Sequence, residues 1–267
     1  MTRLKEISTF KLLSGLCLAF LALFIVAVIF AGSIFSDPST LTSAFLSEEV
    51  QFAIALTLVT ATVATLLALV VSIPAAYVLS RARFHGKDLV DALINIPIAL
   101  PPVALGTALL IFFTNTPLGI FIDNSIIKFV FEAPGIVLAQ FSVISVLAVR
   151  LMKPVFDGID PRYEKVARTL GHGELDSFIR VTLPLAKDGV FGAAVLAWAR
   201  AMGEFGATVT LAGATRFKTE TLPIAMFLNL SVANLENAMA IILILLALTV
   251  SVLLVSRKIA YGGGIPS

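Results

Sequence analysis

Arg200 and Glu204 stand four residues apart inside a long apolar run. That spacing places both on one face of a helix, where they can pair. Two ionisable groups in a membrane span are costly unless paired or hydrated, so they read either as a structural ion pair or as the lining of a path or gate. Gly203 and Gly206 beside them permit close helix approach, and Thr208 adds a hydroxyl. A second unusual run is Asn95 to Pro102, which holds Pro97, Pro101 and Pro102. Each proline lacks an N–H and crowds the carbonyl four residues back, so the run is expected to break its helix near mid-membrane. Freed carbonyls there must be buried in protein or line a wet cavity, which leaves a packing kink or a transport path. Thr107 follows close behind as a further hydroxyl.

Other chemistry is poorly supported. Cys17 is the only cysteine and His85 and His172 are far apart in basic loops, so neither an intrachain disulfide nor a metal site is expected. No His-Glu-x-x-His or Gly-x-Ser-x-Gly occurs, which speaks against a membrane-embedded enzyme. An ion-coupled carrier usually needs more spans or repeats and acids for the coupling ion, and Glu204 alone is thin support. Gly86-Lys87 is followed by Asp88 and lacks the earlier glycine of a phosphate-cradling loop.

The elements that must position these residues are membrane helices. Of 267 residues, 58% are hydrophobic and 13% charged, with mean hydropathy +1.01. A soluble domain needs far more polar surface, whereas lipid solvates apolar side chains. Six runs approach or exceed the roughly 20 residues that cross a bilayer core. They cover about Leu12–Ile34, Val50–Leu79, Leu89–Phe113, Gly135–Met152, Leu185–Leu211 and Asn237–Val255. The first follows Arg3, Lys5 and Lys11 as a signal peptide would, but its 23 residues exceed a typical signal core and more spans follow. With the N-terminus in the cytoplasm, 15 of the 19 basic residues fall on that side, and Lys128, Arg216 and Lys218 outside. The expected protein is therefore an all-α, multi-pass membrane protein with six spans and both termini inside. Residues 1–49 form the first helix and an external loop, 50–255 a core of five spans, and 256–267 a cytoplasmic tail.

The largest inside segment, 153–184, is patterned rather than linker-like. Asp160 is a good N-cap and Pro161 suits a first helical position. Tyr163, Val166, Ala167 and Leu170 then recur at helical spacing, Glu164 and Arg168 suit an i, i+4 pair, and Gly171 suits a left-handed stop. A second short helix carries Leu175, Phe178 and Ile179 on one side, with Asp176 and Arg180 as a second pair; Leu183 and Pro184 then turn the chain into the fifth span. Such helices either lie on the membrane surface or dock into a groove on a soluble partner.

The run Tyr163 to Gly171, followed after nine residues by Val181, Thr182, Leu183 and Pro184, resembles the EAA loop of ATP-binding-cassette importer permeases. Ala167, Gly171, Leu183 and Pro184 match that pattern. Lys165, Val166 and Val181 depart from it, with Glu164 beside the position of the motif glutamate. The resemblance covers roughly Val50 to Val255. It implies that this loop is the coupling helix that enters a cleft of an ATPase subunit. It also implies that ATP and magnesium are bound by that partner and not by this chain, which carries no catalytic residue and no cofactor. Trp198 to Ala207, Glu220 to Ala225 and Leu228 to Leu230 resemble the molybdate and tungstate permeases, with sulfate permeases related. The implied partners are two ATPase subunits, a second permease copy, an external oxyanion-binding protein and membrane lipid, in a prokaryotic cell membrane, with no nucleic acid. The implied cargo is molybdate or tungstate, with sulfate as the alternative.

Overall fold

The computed structural model describes residues 9–35 and 37–261, which form helices joined by turns, with no strand among them. In chain order these are α1 (Thr9–Phe35), α2 (Pro38–Leu46), α3 (Glu48–Arg81), α4 (Lys87–Ala99), α5 (Pro102–Asn115), α6 (Pro117–Ser125) and α7 (Ala133–Asp157). They continue with α8 (Arg162–Thr169), α9 (Glu174–Ser177), a π-helical turn (Phe178–Thr182), α10 (Leu183–Met202), α11 (Gly206–Leu211), α12 (Leu222–Ser231) and α13 (Leu235–Tyr261). Five helical stretches are long and apolar enough to cross a membrane, and α4 with α5 makes a sixth only if a pair bent by 106° is one span. Arg3, Lys5 and residues 262–267 of the tail lie outside the described residues.

Small side chains decide where the helices meet. On α3, Ala53, Thr57, Ala61, Ala64, Ala68, Ser72 and Ala76 are buried at intervals of three or four residues, which makes one smooth stripe. From Ala61 onward it packs on Ile144, Ala148, Met152 and Phe156 of α7 and on Ala186, Ala193, Ala197 and Ala201 of α10. Ser72 Oγ donates across the seam to the Ser145 carbonyl at 2.8 Å. A second cluster joins the start of α3 to α12 and α13, and a third joins α5, α7 and α11 through Phe113, Ala139, Ala207 and Leu211. The most apolar stretch of α1 buries nothing within the chain. Gly32 on α1 lets Met239 of α13 approach, since a Cβ there would lie 2.1 Å from the Met239 terminal methyl.

The α4–α5 bend sits at Leu100 and Pro101. Both precede a proline, and both are extended, with ψ of 139° and 137°. Two consecutive pre-proline residues thus account for the break. Pro97, expected to share in it, lies inside α4 without ending the helix. The fifth span also departs from expectation. It begins at Glu174, and Leu183 and Pro184 do not turn the chain. Pro184 cannot donate to a carbonyl, and the wide π turn just before it, closed by Leu183 N to Phe178 O, carries the helix past that gap. The same span then breaks at Gly203–Phe205 instead of running on to Leu211. Three short helices, α2, α6 and α12, lie where the sequence reads as loop, each with a proline in its first turn.

Candidate functional site

Two regions concentrate polar chemistry. The first is the loop end of the bundle, where α8 stands on the C-terminal end of α3. Asp160 Oδ1 accepts from Arg162 N at 2.9 Å, so Asp160 serves the start of α8, although Pro161 holds the cap position. At the other end Gly171 takes φ +94, Gly171 N bonds Arg168 O at 3.1 Å, and His172 N bonds Ala167 O at 3.2 Å. This is the paired bonding of a Schellman stop. Tyr163, Val166 and Leu170 are exposed on α8, Leu170 most of all at 76%, while Ala167 is buried within the loop. The expected stripe is therefore split, with three members free and one used for packing. Val181 of the π turn is half-buried and Lys165 is exposed.

Glu164 does not pair with Arg168. Its carboxylate turns inward and accepts from Tyr77 Oη at 2.9 Å, Arg81 Nε at 3.0 Å and Thr182 Oγ1 at 2.8 Å. Arg81 Nη2 also donates to the Ile159 carbonyl at 2.8 Å. Burial works to raise the Glu164 carboxyl, but the bonds from Thr182, Tyr77 and Arg81 outweigh it and hold the group below the usual carboxylate range. One side chain thus ties α8 to α3 and to the π turn. Arg168 pairs instead with Glu174 at 2.9 Å, and Asp176 takes both Arg180 and His172.

The second region is where the two broken spans meet. Arg200 Nη1 lies 2.8 Å from Glu204 Oε2, the pairing their spacing allows. Glu204 is buried, its side chain 1% exposed, whereas the Arg200 side chain is 37% exposed. Glu204 Oε1 also accepts from Ala207 N at 3.0 Å, so the carboxylate closes the gap between α10 and α11. Gly206 packs on the start of α5, because a Cβ there would lie 3.0 Å from Pro102 Cβ and from Val103 N. Gly203 makes no such contact; it sits at the break itself. Thr208 is fully buried with no hydrogen-bond partner for its hydroxyl among the described residues, while Thr107 is exposed and bonds the Val103 carbonyl. Pro102 and Gly206 thus meet across the α5–α11 seam, Pro101 stands at the break before α5 and Thr208 lies on α11, while Pro97 lies within α4.

Residues 72–261 match the model of the binding-protein-dependent transport system inner membrane component family. The chain belongs to this permease family. The permease is 38% identical over 243 residues to a probable molybdenum ABC transporter permease protein of Haloferax volcanii, covering 91% of this chain and 86% of that one. It is 36% identical over 214 residues to the molybdenum transport system permease protein of Escherichia coli K12, covering 78% and 92%. It is 34% identical over 202 residues to the sulfate transport system permease protein of Salmonella typhimurium, covering 75% and 73%. Its fold is similar to a chain of a bacterial alginate ABC transporter solved with a pentasaccharide-bound periplasmic protein, with TM-score 0.75 and 16% identity over 97% and 98% of the two chains.

Several polar residues of the permease had no expected role. Gln140 is buried in α7 and donates from Nε2 to the Ala201 carbonyl at 3.1 Å, across to the end of α10. A lone amide in an apolar span is itself a signal, since lipid offers it no partner. Arg150 of α7 reaches Asn95 and, at 3.3 Å, Asp91, which anchors α4. Tyr77 and Thr182 carry no such signal, because their partner Glu164 is 87 and 18 residues away in sequence.

Proposed function

We propose that this permease passes molybdate or tungstate across a prokaryotic cell membrane as the membrane subunit of an ATP-driven importer. Two permease copies and two ATPase subunits form the working unit, and an external binding protein delivers the anion. The observation that carries the coupling role is α8. It is closed by the Gly171 stop, leaves Tyr163, Val166 and Leu170 exposed, and is fastened to α3 through Glu164. An exposed apolar edge on a firmly anchored short helix suits a groove on a soluble partner. That end is cytoplasmic in this reading, by the excess of Lys and Arg there. ATP and magnesium belong to the partner subunits. A second copy gives cover to α4, which buries no residue within the chain.

The cargo assignment is supported by the molybdenum permeases at 38% and 36% identity. The site itself adds a constraint. Glu204 cancels the Arg200 charge, so the junction of the broken spans holds no surplus positive charge to sort anions. Selection among anions is therefore left to the binding protein. Sulfate is the second reading, favoured by the relative at 34% identity. The test is reconstitution of the whole complex in liposomes with its own binding protein, measuring ATP-dependent uptake of labelled molybdate, tungstate and sulfate. Uptake of molybdate or tungstate ahead of sulfate is expected. Import of a sugar, amino acid or peptide with none of these anions carried would end the reading.

A further inference from the structure

At the end of the bundle opposite α8, the segment 212–221 joins α11 to α12. Three ties hold it down. Lys218 Nζ reaches Glu132 at the start of α7 at 2.7 Å, Arg216 Nε lies 3.4 Å from Glu49 Oε1 at the start of α3, and the Phe217 ring packs on Phe52 of α3 at 5.8 Å. The fourth contact is internal: Phe217 N donates to Glu220 Oε2 at 3.2 Å. Phe217 has φ 55, a left-handed conformation that a phenylalanine rarely adopts, so this bond helps hold a strained turn.

Glu220 is 0% exposed, as is Thr219, and Thr221 is 1% exposed. Its carboxyl meets that of Glu49 within hydrogen-bond reach. Glu220 Oε1 and Glu49 Oε1 both lack a hydrogen-bond donor among the described residues. The Arg216 Nε at 3.4 Å is long for a hydrogen bond. Two ionised carboxylates cannot bond to each other, but an acid and a carboxylate can, and like charges at one buried site make one of them keep its proton.

We propose that Glu49 and Glu220 bind one proton between them, and that this proton holds the 212–221 segment closed against the ends of α3 and α7. Charge balance selects a proton. Glu49, Glu220 and Arg216 sum to zero when one carboxyl is protonated, and to minus one when neither is. Lys218 and Glu132 already neutralise each other. Glu49 also lines a cavity of about 140 Å³ whose other polar walls are neutral: Ser43 of α2, Ser47 between α2 and α3, Asn229 of α12 and Asn237 of α13. That polar cavity gives water a way to Glu49 while Glu220 stays dry. Burial and the bond to Glu49 push the Glu220 carboxyl up to about 7. The proton is therefore held below neutrality and lost above it. Once it leaves, a second buried negative charge faces Glu49, and their repulsion, which the stronger bond from Phe217 N to an ionised Glu220 only partly offsets, loosens the segment.

The test needs no cargo, so it stands apart from the transport reading. The full chain in lipid nanodiscs is titrated by infrared difference spectroscopy, following the C=O band of a protonated carboxyl. In parallel, a spin label on Thr215→Cys, in a Cys17→Ser chain, reports motion of the segment. The band should disappear as pH rises through about 7 and be missing in Glu220→Gln. The label should loosen over the same range in the wild type and stay immobile at every pH in Glu220→Gln. Should that variant fail to fold, Glu49→Gln gives the decisive arm. An amide can donate to an ionised Glu220, so the midpoint should fall by about one pH unit or more, a tenfold loss of proton affinity. No band lost near neutrality, an unmoved midpoint in Glu49→Gln, or the same label response in Glu220→Gln would overturn the proposal.

Discussion

Glu164 shows how much one side chain can carry at the residue scale. Three donors reach it, and both it and Arg81 are mostly buried, at 14% and 15% exposure. Removing one partner of such a pair strands the other, so Glu164→Ala should destabilise the protein by about 2–4 kcal/mol, read as a lower unfolding temperature in detergent. Glu164→Gln should lose less, because its amide oxygen still accepts. The pH sign follows from its depressed carboxyl. Its contribution is present above the ordinary carboxylate range and is lost as pH falls through the depressed value, so only acid should loosen the α8–α3 joint. Exposure separates two neighbours. Leu170 at 76% should tolerate Asp without unfolding, and Leu170→Asp should release the ATPase subunit on co-purification. Ala167 at 6% should not, and Ala167→Asp should lower stability by about 1–3 kcal/mol through an unpaired charge in the loop itself. If Leu170→Asp held the ATPase as tightly as the wild type, α8 would not be the docking helix. The Gly171 stop and the Arg200–Glu204 pair were legible because each is local in sequence. The Glu164 cluster was not, because local spacing offered Arg168 as a nearer partner.

Among the elements, α5 and α11 approach closely enough to be tested by one methyl group. A Cβ on Gly106 would lie 1.8 Å from Thr210 Oγ1 and 2.7 Å from the Ala207 Cα. The first neighbour can rotate away, but the second is backbone. Gly106→Ala must therefore push apart helices that are each fixed at a break, α5 by Pro101 and α11 by Glu204. The expected cost is about 1–3 kcal/mol, with ATPase stimulation by cargo falling further than stability, and unfolding and ATPase assays measure the two. An unchanged unfolding temperature would mean that the seam is not under this constraint. Helix existence was largely readable, because apolar length marks a span. The breaks were readable only where proline marks them. Gly203–Phe205 interrupts the fifth span without any proline, and its signal was the buried carboxylate that caps the next turn. The continuity through Leu183 and Pro184 was hidden for the opposite reason, since a proline that suggests a turn is accommodated by a π turn. The short helices α2, α6 and α12 fall below the length at which apolar periodicity speaks clearly.

At the scale of the whole molecule, the two ends of the bundle differ in charge and in construction. The α8 end carries Arg81, Arg150, Lys153, Arg162, Lys165, Arg168 and Arg180, and the opposite end carries Lys128, Arg216 and Lys218. At the second end two of these, Arg216 and Lys218, are engaged by Glu49 and Glu132. The fold therefore sharpens the asymmetry that the sequence alone provides, and under the proposed reading the basic excess puts the α8 end in the cytoplasm. Single cysteines at His172, exposed beside α8, and at Thr215, exposed in the 212–221 segment, report the two ends in a Cys17→Ser chain. In intact cells an impermeant thiol reagent should modify position 215 and leave position 172 untouched until the membrane is opened. Because α3 runs unbroken from Glu49 to Arg81, both ends are fixed by one rigid helix, so the two labels must report opposite sides. Labelling of position 172 from outside would invert the topology, and with it the assignment of α8 to an intracellular ATPase.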